Sequence, residues 1–300
     1  MIFQRIKALI TIVIIYSFAC IGSIFLYDVL PFDDSLVKNI LIKFFIIDII
    51  CTIFIFILSC IFNNSSLYDP YWSVAPVVMV IAFIKIVDNV NFFSVFLVSL
   101  ISLWGLRLTV NFLIGFRNLR HQDWRYLMFK EKYPKIFPLL NLLGIHLMPT
   151  IIVFIALIPA LNFIGDVTKP GFEPTLMTIV AYAVIFIAII IETIADLQLY
   201  LFKRYPSNHG LVLSKGLWKN SRHPNYFGEC LFWFGIFLIH FSFKDANPLL
   251  VVSPLVMFIL FEFISIPMMD KRQLNNKASY KEYYDSTNAM LPIFPPKKKN

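Results

Sequence analysis

The sequence is poor in charged residues, in glycine and in cysteine. Charged residues make up only 15% of its 300 residues and hydrophobic residues 59%, whereas soluble domains average roughly 25% charged residues. Such a composition excludes both a soluble globular domain and a disordered chain. With only 10 glycines the chain cannot form a collagen-like fibre, and its 4 scattered cysteines exclude a disulfide-stapled secreted scaffold and suggest no metal site. The composition therefore indicates an integral membrane protein.

Long apolar stretches are what the sequence has in abundance. A helix needs about 20 mostly apolar residues to cross the roughly 30 Å hydrocarbon core of a bilayer. Eight stretches are predicted to do so, namely 8–30, 39–62, 73–90, 92–114, 139–163, 175–202, 226–243 and 249–269. The third and fourth are separated only by Asp88, Asn89 and Asn91. We therefore expect an all-α fold, a polytopic bundle of about eight transmembrane helices, or seven if these two stretches form one broken element.

The basic residues between these stretches are unevenly distributed. Of the 26 lysines and arginines, twenty lie in residues 1–7, 115–138, 203–225 and 270–300. The outer loops hold only Lys38, Lys169 and Lys244. Because Lys and Arg concentrate on the cytoplasmic side, we expect both termini to be cytoplasmic, and this topology explains the net charge of +8 without a nucleic-acid partner. The expected location is the cytoplasmic membrane of a bacterium or the endoplasmic reticulum of a eukaryote.

Ionisable residues within the apolar stretches mark candidate functional positions, because each costs on the order of 3 kcal/mol at mid-bilayer. Glu192, Asp196, Tyr200 and Lys203 follow one another at intervals of four, four and three residues, which places them on one helix face. This face leads toward residues 203–225, which are predicted to be cytoplasmic. The alternative is a structural ion pair, with Arg107 as the cation.

Other ionisable residues lie nearer the ends of the stretches. Lys43, Asp48 and Lys85 are expected to reach an interface by snorkelling. The sequence Asp-Pro-Tyr-Trp at 69–72 combines a carboxylate with two aromatic residues, and its simplest interpretation is an interfacial aromatic belt.

The sequence Arg-His-Pro-Asn-Tyr at 222–226 predicts an anion site. Its proline suits the first turn of a helix, so Arg222 and His223 should lie beside the positive end of the helix dipole. Cationic side chains next to unbonded backbone N–H groups are what a diphosphate requires. Asn225 and Tyr226 add neutral hydrogen-bonding groups.

Several motifs together resemble a known membrane family. They are Trp-Gly-Leu-Arg-Leu at 104–108, Asp-Trp-Arg-Tyr at 123–126, the stretch from Glu to Arg at 192–204, Leu-Trp-Lys-Asn-Ser at 217–221, Arg-His-Pro-Asn-Tyr-Phe-Gly-Glu at 222–229, and a C-terminal Ile-Pro, Tyr-Lys-Glu-Tyr-Tyr and Pro-Ile-Phe-Pro. This pattern resembles the family with the steroid 5-alpha-reductase C-terminal domain, in its poorly characterised branch, and more distantly the sterol C14 reductases. The resemblance covers residues 65–296 and divides the chain into N-terminal transmembrane helices, 1–64, and a reductase-like membrane domain, 65–300.

The resemblance implies which residues hold NADPH. They are Lys203, Leu213, Trp218, Arg222, His223, Asn225 and Tyr226, with a looser match for Asp270, Tyr280 and Tyr283. Leu199 stands where the family has a lysine, so NADH is an alternative to NADPH. The resemblance does not identify the proton donor, for which Tyr226, Glu192 and Asp196 are the candidates.

The expected function is a membrane-embedded NAD(P)H-dependent reductase that transfers hydride to an enone or double bond of a hydrophobic lipid, steroid-like or isoprenoid-like, drawn from the bilayer, without a metal. Two alternatives stay open. An Arg-His-Pro sequence also occurs in isoprenylcysteine and phospholipid methyltransferases, which implies S-adenosylmethionine and a membrane-borne acceptor. The third is a non-catalytic lipid-binding protein.

Overall fold

A computed structural model describes residues 2–88, 90–167, 172–243 and 245–292. Lys169, Lys244 and the three C-terminal lysines, as well as most of the Pro-Ile-Phe-Pro motif, lie outside the described residues. The chain divides into two compact units, residues 1–172 and 173–300. The division at residue 64 that the resemblance implies stays a prediction.

The N-terminal unit is made of helices. They are α1 (Ile2–Val29), α2 (Val37–Ile61), α3 (Tyr71–Ile86), α4 (Phe92–Gly115), α5 (Trp124–Lys132), α6 (Phe137–Leu140) and α7 (Met148–Asp166). A short 3-10 turn, Ser65–Leu67, precedes α3, and a π-helical segment, Asn141–Leu147, joins α6 to α7. The apolar core of this unit includes Ile12, Ile55 and Leu67, which come from α1, α2 and the 3-10 turn.

The C-terminal unit is helical as well. Its helices are α8 (Leu176–Arg204), α9 (Pro224–His240), α10 (Val252–Ile259), α11 (Ile266–Asn276) and α12 (Tyr280–Ser286), with a π-helical segment, Leu260–Ser265, between α10 and α11. Helices α8 and α9 pack closely because glycine faces the partner helix at two positions. A Cβ atom on Gly228 would lie 2.3 Å from Cγ of Glu192, and one on Gly235 would lie 2.6 Å from Cγ1 of Ile185.

Local sequence explains where several helices begin. Asn91 and Ser94 form a reciprocal capping box at the start of α4, and Thr175 and Thr178 do the same for α8. The third and fourth predicted spans are consequently separate helices, since α3 ends at Ile86 and a new cap begins α4.

Seven helical stretches among the described residues are long and apolar enough to cross a membrane. They are Ile2–Val29, Val37–Ile61, Ser65–Ile86, Phe92–Gly115, Phe137–Asp166, Leu176–Arg204 and Pro248–Asn276. The remaining predicted span, 226–243, corresponds to α9, which has 17 residues and lies at the lower limit of length for a transmembrane helix. The protein is thus an integral, multi-pass helical membrane protein, and the cytoplasmic location of its termini stays a prediction.

Candidate functional site

The segment before α9 is held against the C-terminal part of α8. Gly216 has a positive φ of 61°, which glycine adopts without strain, and it packs against the side chain of Gln198. Gln198 accepts a hydrogen bond from the backbone N–H of Leu217 at 3.0 Å. One residue on, the buried indole of Trp218 donates from Nε1 to the carbonyl oxygen of Ala195 at 3.1 Å.

Asp270 on α11 is the centre of a buried polar group of side chains. Arg222 donates from Nη2 to Oδ2 of Asp270 at 2.8 Å, and Nε2 of His223 lies 2.8 Å from Oδ1 of the same carboxylate. The hydroxyl of Tyr280 also donates to Oδ1. These four residues, Arg222, His223, Asp270 and Tyr280, are called the Asp270 cluster below. All four are buried, so the ion pair between Arg222 and Asp270 is shielded from water.

The guanidinium of Arg222 makes further contacts with the C-terminal segment. Its Nη1 donates to the carbonyl oxygens of Tyr284, at 3.0 Å, and Thr287, and its Cζ lies 4.2 Å from the centre of the Tyr284 ring. Arg222 is only 8% exposed. Its Nε is the guanidinium nitrogen with no hydrogen-bond partner among the described residues. The charge that was expected to attract phosphate is therefore already paired within the protein.

Backbone hydrogen bonds join the same two stretches of chain. The N–H groups of Arg222 and His223 donate to the carbonyl oxygens of Asn288 and Ala289 at 2.9 and 3.0 Å. Ser221 and Asn288 form an isolated parallel β-bridge. The N–H groups that precede α9 are thus occupied by protein carbonyls, and a ligand would have to use other donors.

Two tyrosines of α12 lie next to this segment. The hydroxyl of Tyr283 donates to the carbonyl oxygens of Trp218 and, at 3.1 Å, of Ser221. Burial, followed by the hydrogen bond to Asp270, raises the pKa of Tyr280 well above its ordinary value, and burial likewise raises the pKa of Tyr283. Both phenols are therefore neutral at physiological pH and act as hydrogen-bond donors.

The predicted polar face of α8 passes from a buried to an exposed position. Glu192 is 0% exposed and packs on Gly228, Asp196 is half-buried, and Lys203 is exposed. The side-chain amide of Asn225 donates to Oδ1 of Asp196 at 3.3 Å, which links this face to the first turn of α9.

Tyr226 lies beside the Asp270 cluster. Its ring stacks on that of His223, with centroids 5.2 Å apart and planes 6° apart, and it also contacts the ring of Phe261 at 4.8 Å. It is half-buried, as is Leu213 on the segment before Gly216.

The structure thus brings most of the predicted cofactor residues into the same region of the C-terminal unit. Tyr284 and the carbonyls of Thr287 and Asn288 contribute contacts that the sequence did not reveal. For Tyr284, the sequence offered one signal, which is its place beside Tyr280 and Tyr283 on one short helix. Backbone carbonyls leave no such signal in a sequence.

The N-terminal unit contains a second candidate site, which sequence analysis did not predict. A cavity of about 510 Å³ lies among α1, α2 and α3. Its wall is mainly apolar and includes Ile47, Ala75 and Met79, together with Asp48 and Tyr71. The hydroxyl of Tyr71 donates to Oδ1 of Asp48 at 2.7 Å.

The position of Asp48 differs from the expectation that it reaches an interface. It is only 4% exposed, in the middle of α2. Tyr71, expected in an aromatic belt, is buried at the start of α3 and donates to this carboxylate. An aspartate is too short to snorkel from the middle of a helix, and the tyrosine satisfies it where it is.

Among the described residues, no group of three or more His, Cys, Asp and Glu side chains could hold a metal ion.

These features define a multi-pass helical membrane protein with a buried polar cluster before one helix and a mainly apolar cavity among three others. A family model described as "protein of unknown function (DUF1295)" matches residues 55–287, and the chain belongs to this family. No match was found among curated proteins or solved structures.

Proposed function

We propose that this protein is an NAD(P)H-dependent reductase of a hydrophobic lipid that enters from the bilayer. The observation that supports this most is the pair of Asp48 and Tyr71 in the wall of the N-terminal cavity. A ligand pocket is typically an apolar cavity of about 300–1,000 Å³ with a few convergent polar groups, and this cavity fits that description.

The pair provides the chemistry that reduction of an enone needs from the protein. A phenol has one proton, so Tyr71 would exchange its hydrogen bond to Asp48 for one to a substrate carbonyl, where it stabilises the negative charge that develops on the oxygen. The apolar wall excludes water from the same space. Asp48 positions the Tyr71 hydroxyl, and Tyr71 is the candidate proton or hydrogen-bond donor.

The C-terminal unit offers groups that fit parts of a nicotinamide dinucleotide. Asp196 and Asn225 are half-buried and suit ribose hydroxyls or an amide, while Lys203 is an exposed cation suited to phosphate. Arg222 does not fit the role of a phosphate ligand, because Asp270 and two carbonyls already occupy its guanidinium. In this proposal the Asp270 cluster positions the segment around Trp218 and Asn225. NADPH or NADH, when bound, supplies the hydride.

This assignment replaces the earlier candidates for the proton donor. Glu192 packs against Gly228 within the contact of α8 and α9. Asp196 accepts from Asn225, and Tyr226 is sandwiched between His223 and Phe261. None of the three lines the cavity of the N-terminal unit. Tyr71 does, and the proposed donor is therefore Tyr71.

The test uses the full chain purified in detergent and reconstituted in nanodiscs. Binding of NADPH, NADH and S-adenosylmethionine is measured first, and oxidation of the reduced dinucleotide is then followed with steroid and isoprenoid enones as substrates. Tyr71→Phe should lower turnover by about 10²- to 10⁴-fold, the range for loss of a general acid, while dinucleotide binding is unchanged. Tyr133→Phe removes an exposed phenol that does not line the cavity and should have little effect.

Two results would contradict the proposal. Binding of S-adenosylmethionine without any response to NADPH or NADH would favour the methyltransferase alternative. Turnover by Tyr71→Phe equal to that of the unmodified protein would show that this phenol does not take part in the reaction.

A further inference from the structure

The cavity of the N-terminal unit is partly open to the surface. Among the residues that line it, Ile24 on α1 is 67% exposed and Ile81 on α3 is 40% exposed. Exposed apolar side chains on membrane helices face lipid chains. We infer from these residues that the cavity can exchange a hydrophobic molecule with the bilayer on the side where α1 and α3 are exposed.

The two ends of the cavity carry different polar groups. At one end lies the hydrogen-bonded pair of Asp48 and Tyr71. At the other lie Asp28, in the last turn of α1, and Lys85, in the last turn of α3. Asp28 and Lys85 are exposed, and neither side chain forms a hydrogen bond or ion pair with another described residue.

Helix geometry gives the distance between these ends. The ring of Tyr71 lies 6.3 Å from that of Tyr16, so Tyr16 marks the level of this end on α1. At 1.5 Å per residue, Asp28 lies about 18 Å further along α1. On α3 the rise from Tyr71 to Lys85 is about 21 Å. The two ends of the cavity are therefore roughly 18–21 Å apart.

We propose that the ligand of this cavity is an elongated amphiphile with a zwitterionic head group. Its head group lies between Asp28 and Lys85, its apolar body fills the cavity, and its far end reaches Asp48 and Tyr71. This inference rests on the proposed function for the assumption that the far end is the reacting end. The opposite charges of Asp28 and Lys85 suit a head group that carries a cation and an anion, such as phosphocholine.

A native cysteine provides the assay. Cys20 lines the cavity and is half-buried, and replacement of the other cysteines by serine, at Cys51, Cys60 and Cys230, leaves it as the one reporter. The rate at which a lipophilic maleimide modifies Cys20 is measured in nanodiscs. It is compared in the presence of hexadecylphosphocholine, hexadecyl phosphate, hexadecyltrimethylammonium and a hexadecyl glycoside.

The phosphocholine should protect Cys20 at a concentration about three- to tenfold lower than the glycoside does, which is the range that two exposed charge contacts give. Among alkylphosphocholines, protection of Cys20 should increase from the octyl to the hexadecyl compound. Glycerophosphocholine, which has the head group without a chain, should not protect. The double variant Asp28→Asn with Lys85→Gln should lose the preference for the phosphocholine and keep protection by the glycoside.

Lys38→Gln is the matched control, because Lys38 is also exposed but does not line the cavity. Equal protection by all four head groups, or a preference that persists in the double variant, would overturn the proposal. The assay requires neither NADPH nor turnover. If Cys20 is protected as expected but no reduction occurs, the proposed reaction fails and the ligand class stands.

Discussion

Substitutions of Arg222 and Asp270 should have strongly non-additive effects on the free energy of unfolding. Asp270→Ala leaves the guanidinium of Arg222 buried with only two carbonyl partners, and removing one partner of a buried ion pair typically costs about 3–5 kcal/mol. Arg222→Met leaves the carboxylate of Asp270 with His223 and Tyr280 as partners and should cost a similar amount. The double variant removes both charges together and leaves neither unpaired.

We therefore expect the double variant to be less destabilised than the sum of the single variants, by about 1–3 kcal/mol. The measurement is the free energy of unfolding in a mild detergent, followed by tryptophan fluorescence as denaturant is added. Lys281 and Asp285 form an exposed pair in the same unit and serve as the control cycle. Their coupling should be only about 0.3–0.5 kcal/mol. Additive effects at Arg222 and Asp270 would refute the inference that the cluster is a closed, internally compensated group.

Four further predictions concern packing, pH, cofactor choice and topology. Gly228→Ala should destabilise the contact of α8 with α9 by about 1–3 kcal/mol, whereas Gly22→Ala, where nothing lies within 4 Å of the new Cβ, should be neutral or slightly stabilising in the same unfolding assay. The folded state raises the pKa of Tyr280, so the contribution of Tyr280 to stability is complete below about pH 10, the pKa of an unfolded tyrosine, and is lost as the pH rises further. Tyr280→Phe should therefore show a smaller loss of stability at high pH in a pH series. Leu199→Lys should strengthen binding of NADPH more than that of NADH at one ionic strength, and equal strengthening would show that the position meets the shared diphosphate. A cysteine at Asn118 should resist an impermeant thiol reagent in sealed cells and react after permeabilisation, and labelling in sealed cells would reverse the predicted topology.

The helices could be predicted from the sequence because apolar length and polar breaks are local properties. The bounds of α2 and α4 differ from the predicted stretches by no more than two residues. Helix α9 is shorter than its predicted span, 226–243, at its C-terminal end because the chain turns after His240. A hydropathy pattern does not mark that turn, since Phe241 and Phe243 continue the apolar run.

The candidate sites were accessible from the sequence to different degrees. Arg222 and His223 were singled out by their place before a helix as well as by the family resemblance, and Asp270 by the resemblance alone. The structure brings all three into hydrogen-bonding contact. The contact between Asp48 and Tyr71 joins two helices, and neither residue belongs to the motifs that carry the family resemblance. Each alone had an ordinary interfacial explanation, and only the packing of α2 against α3 shows that they form a pair.

The pairing of Arg222 also changes which charges can attract an anion to the C-terminal unit. A buried arginine whose charge is compensated by Asp270 contributes little field at the surface. The exposed cations Lys203 and Arg204, in the last turn of α8, then become the main source of attraction on that helix. Leu199 lies one turn before Lys203 and is half-buried. In the proposed function, a dinucleotide bound beside α9 would therefore meet mostly neutral donors there. A preference for an extra phosphate would then come from the end of α8, where Leu199 stands in place of the lysine of the reductases that the sequence resembles.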